Sequence, residues 1–411
     1  MILICFQIKF VLSHSHYDAY LFISGMYLNL SVYKHDLYAR RPSEKEILSL
    51  NYSPKVINLK STFKLLGIFA ICGTLSYASV VPRNAPIEDY NHMFKETSLR
   101  LFLSGIWPSF LMWLVYGAAH VDVNEMLDSF VHSMFFLYPL ICLYEFFIAV
   151  VVRVCILRIF DAEAFELNPK VPGIVLPWTL AANGYLPRRV TMYLFSFING
   201  CLMSPMMEEL YKVRMLRNMI LRSEAAKERD CMRGATTVRT YVIHMLAISL
   251  GLKTADNIRR ILLYNAPKDR YKSFFAIFRS IFPVQELCGV LSALSLAQST
   301  LLENNDNLSI NALFRILNPA LLLHFMANFR GTKPFFVWSS KMPWNEIQIQ
   351  ALGAPDGASA GKLFFKCAFN LMWFTVLFRT FSHAVQKYVH ISRQFYEKTA
   401  TNTRNKQVTS K

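Results

Sequence analysis

Residues 130–152 read FVHSMFFLYPLICLYEFFIAVVV, with one carboxylate, at Glu145. A helix needs about 20 mostly apolar residues to cross hydrocarbon about 30 Å thick, and this run is long enough. Comparable apolar runs lie near 63–81, 101–119 and 190–207. Others, with polar residues among the apolar ones, lie near 240–262, 274–300, 308–329 and 363–385. The pattern predicts about eight membrane spans.

The composition favours a bilayer as the solvent of this chain. Of its 411 residues, 54% are hydrophobic and 17% are charged, and the mean hydropathy is +0.28. Soluble domains of this size seldom reach such values. The apolar runs are far longer than the roughly 9–11 alternating residues of a barrel strand, and hydrocarbon offers backbone groups no partners. We therefore expect an all-α protein, a polytopic transmembrane helix bundle.

The chain divides into three predicted regions. Residues 1–60 form a polar or amphipathic N-terminal region, 61–385 a multi-pass membrane domain, and 386–411 a basic, disordered C-terminal tail. An even number of spans leaves both ends on one side, which their basic residues assign to the cytoplasm. We expect a short acidic loop at 120–128 and the longest loop at 331–361. Which membrane holds the chain stays open.

The charge balance points to lipid as a partner. The chain has 44 Lys and Arg against 27 Asp and Glu, a net charge of +17. In a soluble protein that excess would suggest nucleic acid. Here the basic clusters at 34–64, 212–239 and 387–411 adjoin apolar segments, as expected beside anionic lipid, and we predict no nucleic-acid partner. The eight cysteines are scattered without a C-x-x-C pair, which indicates neither a disulfide framework nor a zinc cluster.

Adjacent carboxylates interrupt the apolar pattern after residue 207. The stretch Ser204-Pro-Met-Met-Glu-Glu-Leu-Tyr-Lys212 places Lys212 four residues after Glu208 and three after Glu209. On a helix the ammonium can hold one carboxylate ionised while the other accepts a proton, as a general base must. The alternative is that the helix ends here and the acids face lipid headgroups.

Further polar residues follow in the second half of the chain. Gly251 to Asn257 contains small residues suited to close helix packing, and Asp256 has Lys253 and Arg260 within a turn. Gln285 and Glu286 stand at the head of an apolar run that begins with Pro283. His324 and Asn328 share one helix face at i, i+4. For Asp256 a structural role and a catalytic role are both open, and a buried histidine such as His324 is more often structural.

In this order, the clusters resemble the motifs of the PrsW-type membrane proteases, relatives of the CAAX prenyl protease (CPBP) superfamily. Ser204 to Lys212 is similar to the signature P-x-x-E-E-x-x-K, and Gly251 to Asn257 is similar to a G-(L/F)-(G/A)-x-x-E-N stretch. The resemblance covers a core at about 190–329. It implies an intramembrane peptidase that hydrolyses transmembrane protein substrates with a glutamate-activated water.

The resemblance also implies roles for individual residues. Glu208, Glu209 and His324 would be catalytic. The supporting residues would be Lys212 as structural cation, Asn257 as a polar wall, Asp256, Gln285 and Asn328. Three of these positions depart from the family pattern. Asp256 occupies the place of a Glu, Gln285 that of a histidine and Asn328 that of an Asp. Glutamine cannot accept a proton from water.

Two questions stay open at the level of sequence. A divalent metal such as zinc would take Glu208, Glu209 and His324 as ligands, but adjacent glutamates point about 100° apart on a helix and do not make the H-E-x-x-H geometry. The intact Glu208, Glu209 and Lys212 favour an enzyme. The substitution at Gln285 favours a non-catalytic family member that binds transmembrane segments without cleaving them.

Overall fold

The computed structural model describes residues 59–80, 87–118, 123–160, 194–229, 237–263, 282–303, 309–331 and 360–409. Every secondary-structure element in these ranges is helical. The all-α prediction is confirmed for this part of the chain. The N-terminal region before residue 59 and most of the long loop predicted at 331–361 lie outside the described residues.

The described residues form eight continuous helices, and each predicted apolar run overlaps one of them. Their bounds are α1 Leu59–Val80; α2 Ile87–Ala118; α3 Val123–His132, the π-helical turn Ser133–Leu137 and Tyr138–Phe160; α4 the π-helical Ser196–Met203 and Ser204–Arg229; α5 Val238–Leu263; α6 Val284–Ala297 and the π-helical Gln298–Leu302; α7 Ile310–Gly331; and α8 Ala360–Thr409. Two segments, Val123–Ile156 in α3 and Ile310–Phe329 in α7, are long and apolar enough to cross a membrane.

Two local predictions differ from the structure. The tail predicted to be disordered from residue 386 is helical to Thr409, because its apolar face packs on the core through Ile391, which is 1% exposed. Lys398 also donates hydrogen bonds to the carbonyls of Leu301 and Leu302 at the end of α6. The acidic loop predicted at 120–128 is helical from Val123, because Met126 packs against buried residues of α5.

The core lies among the helices of the second half of the chain. Helix α5 packs against α4 and α6, α6 packs against α7 and α8, and α4 also contacts α6 and α7. Leu216, Met245, Ile248 and Leu294 are fully buried there. Helix α1 packs mainly on α2, and Phe63 of α1 is 64% exposed.

Two glycines allow the helices around α5 to approach closely. A Cβ on Gly251 would overlap the Ser133 hydroxyl and the Phe130 carbonyl oxygen of α3. A Cβ on Gly289 of α6 would overlap the Ser249 hydroxyl of α5. The close packing that the small residues near Gly251 predicted is therefore observed, and it fixes α5 between α3 and α6.

We expect Gly251→Ala to destabilise the fold by about 1–3 kcal/mol, because the new methyl group meets backbone that cannot retreat. Gly105→Ala is the matched control, since nothing lies within 4 Å of the methyl group it would add and a helical alanine is favoured over glycine by up to about 1 kcal/mol. Thermal unfolding of the purified chain in detergent measures both. Equal changes in Tm would contradict the close contact.

Candidate functional site

Helix α4 supplies the acidic pair. Glu208 and Glu209 follow the π-helical turn Ser196–Met203 and lie in the second turn of the α-helical part. The side chain of Glu209 is completely buried, and that of Glu208 is 16% exposed. The alternative that both acids face headgroups is therefore wrong for Glu209.

Lys212 is the centre of the cluster, and its side chain is also completely buried. Its Nζ lies 2.7 Å from Glu209 Oε1, 3.3 Å from Glu208 Oε1 and 2.6 Å from Gln285 Oε1. The predicted pairing of Lys212 with the glutamates is observed. Gln285, on α6, accepts a hydrogen bond from the ammonium. An amide at this position thus supplies a neutral acceptor for Lys212.

His324 reaches the same carboxylates from α7. Its Nδ1 lies 2.9 Å from Glu209 Oε1, and its Nε2 lies 3.6 Å from Glu208 Oε2. A carboxylate only accepts hydrogen bonds, so we assign the hydrogen to Nδ1. In the neutral ring Nε2 then carries the lone pair, beside the partly exposed Glu208.

The two glutamates have different environments. Glu209 Oε1 accepts from both Lys212 and His324, whereas its Oε2 is buried with no hydrogen-bond partner among the described residues. Glu208 lies at the edge of the cluster, and 16% of its side chain is exposed. Glu208 is thus the more exposed of the two carboxylates, and Glu209 holds the cation and the imidazole in place.

Some predicted supporting residues bond elsewhere. Asp256 accepts from the Tyr138 hydroxyl at 3.2 Å, from Arg259 at 2.8 Å and from Arg260 at 2.7 Å. Asn328 donates to the Gly200 carbonyl at 2.8 Å, which fixes α7 to the start of α4. These hydrogen bonds give both residues structural roles, because they bind backbone or neighbouring side chains rather than Glu208 or Glu209.

Lys253 of α5 also contacts the head of α6. Lys253 Nζ donates to Glu286 Oε1 at 2.6 Å and to the Phe282 carbonyl at 2.8 Å. Asn257 is 2% exposed, and its Nδ2 has no hydrogen-bond partner in the described part of the chain.

Sequence reasoning missed two residues beside the cluster. Cys288 is fully buried. Its sulfur lies within 4.8 Å of a carboxylate oxygen of Glu209 and of a ring nitrogen of His324, which lie within the same distance of each other. Its spacing of three residues from Gln285 on α6 was the available signal. Glu145 of α3 accepts a hydrogen bond from Ser204, the residue that opens the α-helical part of α4.

We expect Lys212→Met to destabilise the fold by about 3–5 kcal/mol, because it leaves a buried carboxylate without its cation. The double variant Lys212→Met with Glu209→Gln removes that charge and should recover part of the loss. Arg214→Met, at an exposed position two residues further along α4, should stay within about 0.5 kcal/mol of the parent. Unfolding in denaturant measures these three variants and Glu209→Gln alone, and additive effects of the two single changes would contradict the pair.

Comparisons of the chain with family models, with curated proteins and with solved structures find no match. The likeness to the PrsW-type proteases therefore remains a likeness of short motifs.

Proposed function

We propose that this chain is a multi-pass integral membrane protein whose eight helices each cross the bilayer. Two helices meet the length and apolarity of a span. Large apolar side chains are also exposed on helices that do not meet these criteria. Phe102 on α2 is 66% exposed, and Leu371 on α8 is 65% exposed. Such surfaces are stable in lipid and aggregate in water, which supports more than two spans.

We expect both termini on the same side of the membrane, because eight spans are an even number. Reporter fusions that fluoresce only in the cytoplasm, placed at Met1 and at Lys411, measure this. Both fusions should fluoresce, as the basic segments at the two ends predict. An even number of spans would be contradicted if one fusion fluoresced and the other were stably expressed but dark.

We propose further that the cluster on α4, α6 and α7 is a glutamate-dependent peptidase site for transmembrane segments. The observation that carries this proposal is the difference between Glu208 and Glu209. A general base must reach water, and Glu208 is the partly exposed carboxylate. A group that orients the base must be rigid, and Glu209 is buried between Lys212 and His324.

In the proposed reaction Glu208 takes a proton from a water molecule, and the oxygen of that water attacks the carbonyl carbon of the peptide bond. The C–N bond then breaks, and Glu208 returns the proton to the leaving nitrogen. His324 contacts Glu208 through Nε2 and orients the water. Lys212 and Gln285 keep Glu209 in position rather than touching the substrate.

A second function has one specific observation in its favour. Lys212 is saturated by Glu208, Glu209 and Gln285, so its ammonium needs no substrate group as an acceptor. Such a cluster would serve a protein that keeps the fold and binds transmembrane segments without cleaving them. The two functions predict different results for the same variants.

We expect Glu208→Gln to reduce cleavage by about 10²–10⁴-fold with little change in stability, because it removes the base and leaves the buried pair intact. Glu209→Gln should reduce cleavage and also lower Tm, because the oxygen that accepts from Lys212 and His324 loses its negative charge. Glu303→Gln, at an exposed position after α6, is the control for both. The measurement uses the full chain in proteoliposomes with a library of labelled single-span peptides.

The outcomes separate the two functions. Cleavage by the parent that disappears in Glu208→Gln supports the peptidase. Cleavage that survives Glu208→Gln rejects Glu208 as the base. Binding of the labelled peptides without cleavage, unchanged in Glu208→Gln, supports the non-catalytic function.

A further inference from the structure

The buried side of the cluster contains three metal-ligand types, and the proposed reaction uses Glu209 and His324 only for positioning and Cys288 not at all. Glu209 on α4, Cys288 on α6 and His324 on α7 bring a carboxylate oxygen, a sulfur and a ring nitrogen within 4.8 Å of one another. Three helices that are distant in sequence thus converge on one point. Zinc in proteins takes these three donor types, at about 2.0–2.3 Å each.

A second observation at this point indicates a missing partner. Glu209 Oε2 is buried and has no hydrogen-bond partner in the described residues, although Oε1 of the same carboxylate accepts twice. Because Lys212 and His324 both lie on Oε1, Oε2 is the oxygen left for a ligand. Buried carboxylate oxygens without a partner are costly, so a native structure normally satisfies them.

The charges also fit a divalent cation. Lys212 faces the carboxylates of both Glu208 and Glu209, so one negative charge is left over. A metal-bound Cys288 would lose its proton and add a second. A single divalent ion balances these two charges, whereas a monovalent ion would leave a buried negative charge.

From this geometry we propose that Glu209, Cys288 and His324 bind one zinc ion. This inference differs from the sequence-based expectation, in which the scattered cysteines predicted no zinc cluster and Glu208 was the candidate ligand beside Glu209 and His324. The structure leaves Glu208 at the edge and places Cys288 inside. Three protein ligands leave a fourth position open, as in zinc sites that bind water.

The zinc site does not depend on whether the protein cleaves peptide bonds. Binding fixes α4, α6 and α7 to one another, and it would stabilise the bundle in an enzyme and in a non-catalytic binder alike. Cys288 is then a ligand and not a nucleophile. When bound, the ion supplies a Lewis acid.

The test measures metal binding by the full chain, purified in detergent without chelators and incubated with zinc before desalting. Elemental analysis should find about one zinc per chain. Cys288→Ser and His324→Gln should each weaken zinc binding by more than about 10–100-fold, the loss typical for partners that only support a ligand. Cys201→Ser is the matched control, because Cys201 is also buried in α4 and is not among the three donors.

Replacing zinc by cobalt gives a readout that needs no variant. A thiolate ligand produces an intense charge-transfer absorption with cobalt, which we expect in the parent and in Cys201→Ser and not in Cys288→Ser. A parent chain that binds no zinc, or a cobalt complex without the thiolate band, overturns the proposal even if Cys288→Ser fails to fold. Zinc content that is unchanged in both Cys288→Ser and His324→Gln also overturns it.

The results are distinguishable from those on peptidase activity. Cleavage by a chain that binds no zinc rejects the zinc site and keeps the proposed function. A zinc-loaded chain that cleaves no peptide in the library keeps the zinc site and rejects the proposed function.

Discussion

The Lys212 ammonium is the constraint on which the rest of the structure depends. It is completely buried, and a buried charge without partners costs several kcal/mol, so the surrounding helices must supply acceptors. Glu208 and Glu209 come from its own helix, and Gln285 comes from α6. Glu209 then joins His324 of α7 to the same network. One cation thus determines how three helices meet.

A second buried ion pair holds Glu286, the residue next to Gln285 on α6. Lys253 of α5 binds Glu286 and the Phe282 carbonyl, while Gln285 binds Lys212 of α4. The head of α6 is therefore attached to two helices by two ammonium groups. Close helix packing supplies the short separation that such hydrogen bonds need. Gly251 of α5 lies against α3, and Gly289 of α6 lies against α5. Polar contacts and close packing support each other here.

The sequence predicted those features that depend on spacing along one helix. The contacts of Lys212 with the two glutamates follow from i, i+3 and i, i+4 spacing, and the helices follow from apolar runs. Features that depend on how helices rotate against one another could not be predicted. One such feature is the pairing of Lys253 of α5 with Glu286 of α6, which spacing along either helix does not show. The helical course of α8 beyond residue 386 likewise depends on contacts with α6, which basic composition does not reveal.

The central claim is that the Lys212 ammonium lies against Glu209 in the interior of the bundle. Solid-state NMR of the isotope-labelled chain in lipid bilayers can measure the dipolar coupling between Lys212 Nζ and the Glu209 side-chain carboxyl carbon. We expect the strong coupling of a direct contact, since Nζ lies 2.7 Å from Glu209 Oε1. A Lys212 nitrogen that couples to lipid phosphate or water and not to Glu209 would contradict it.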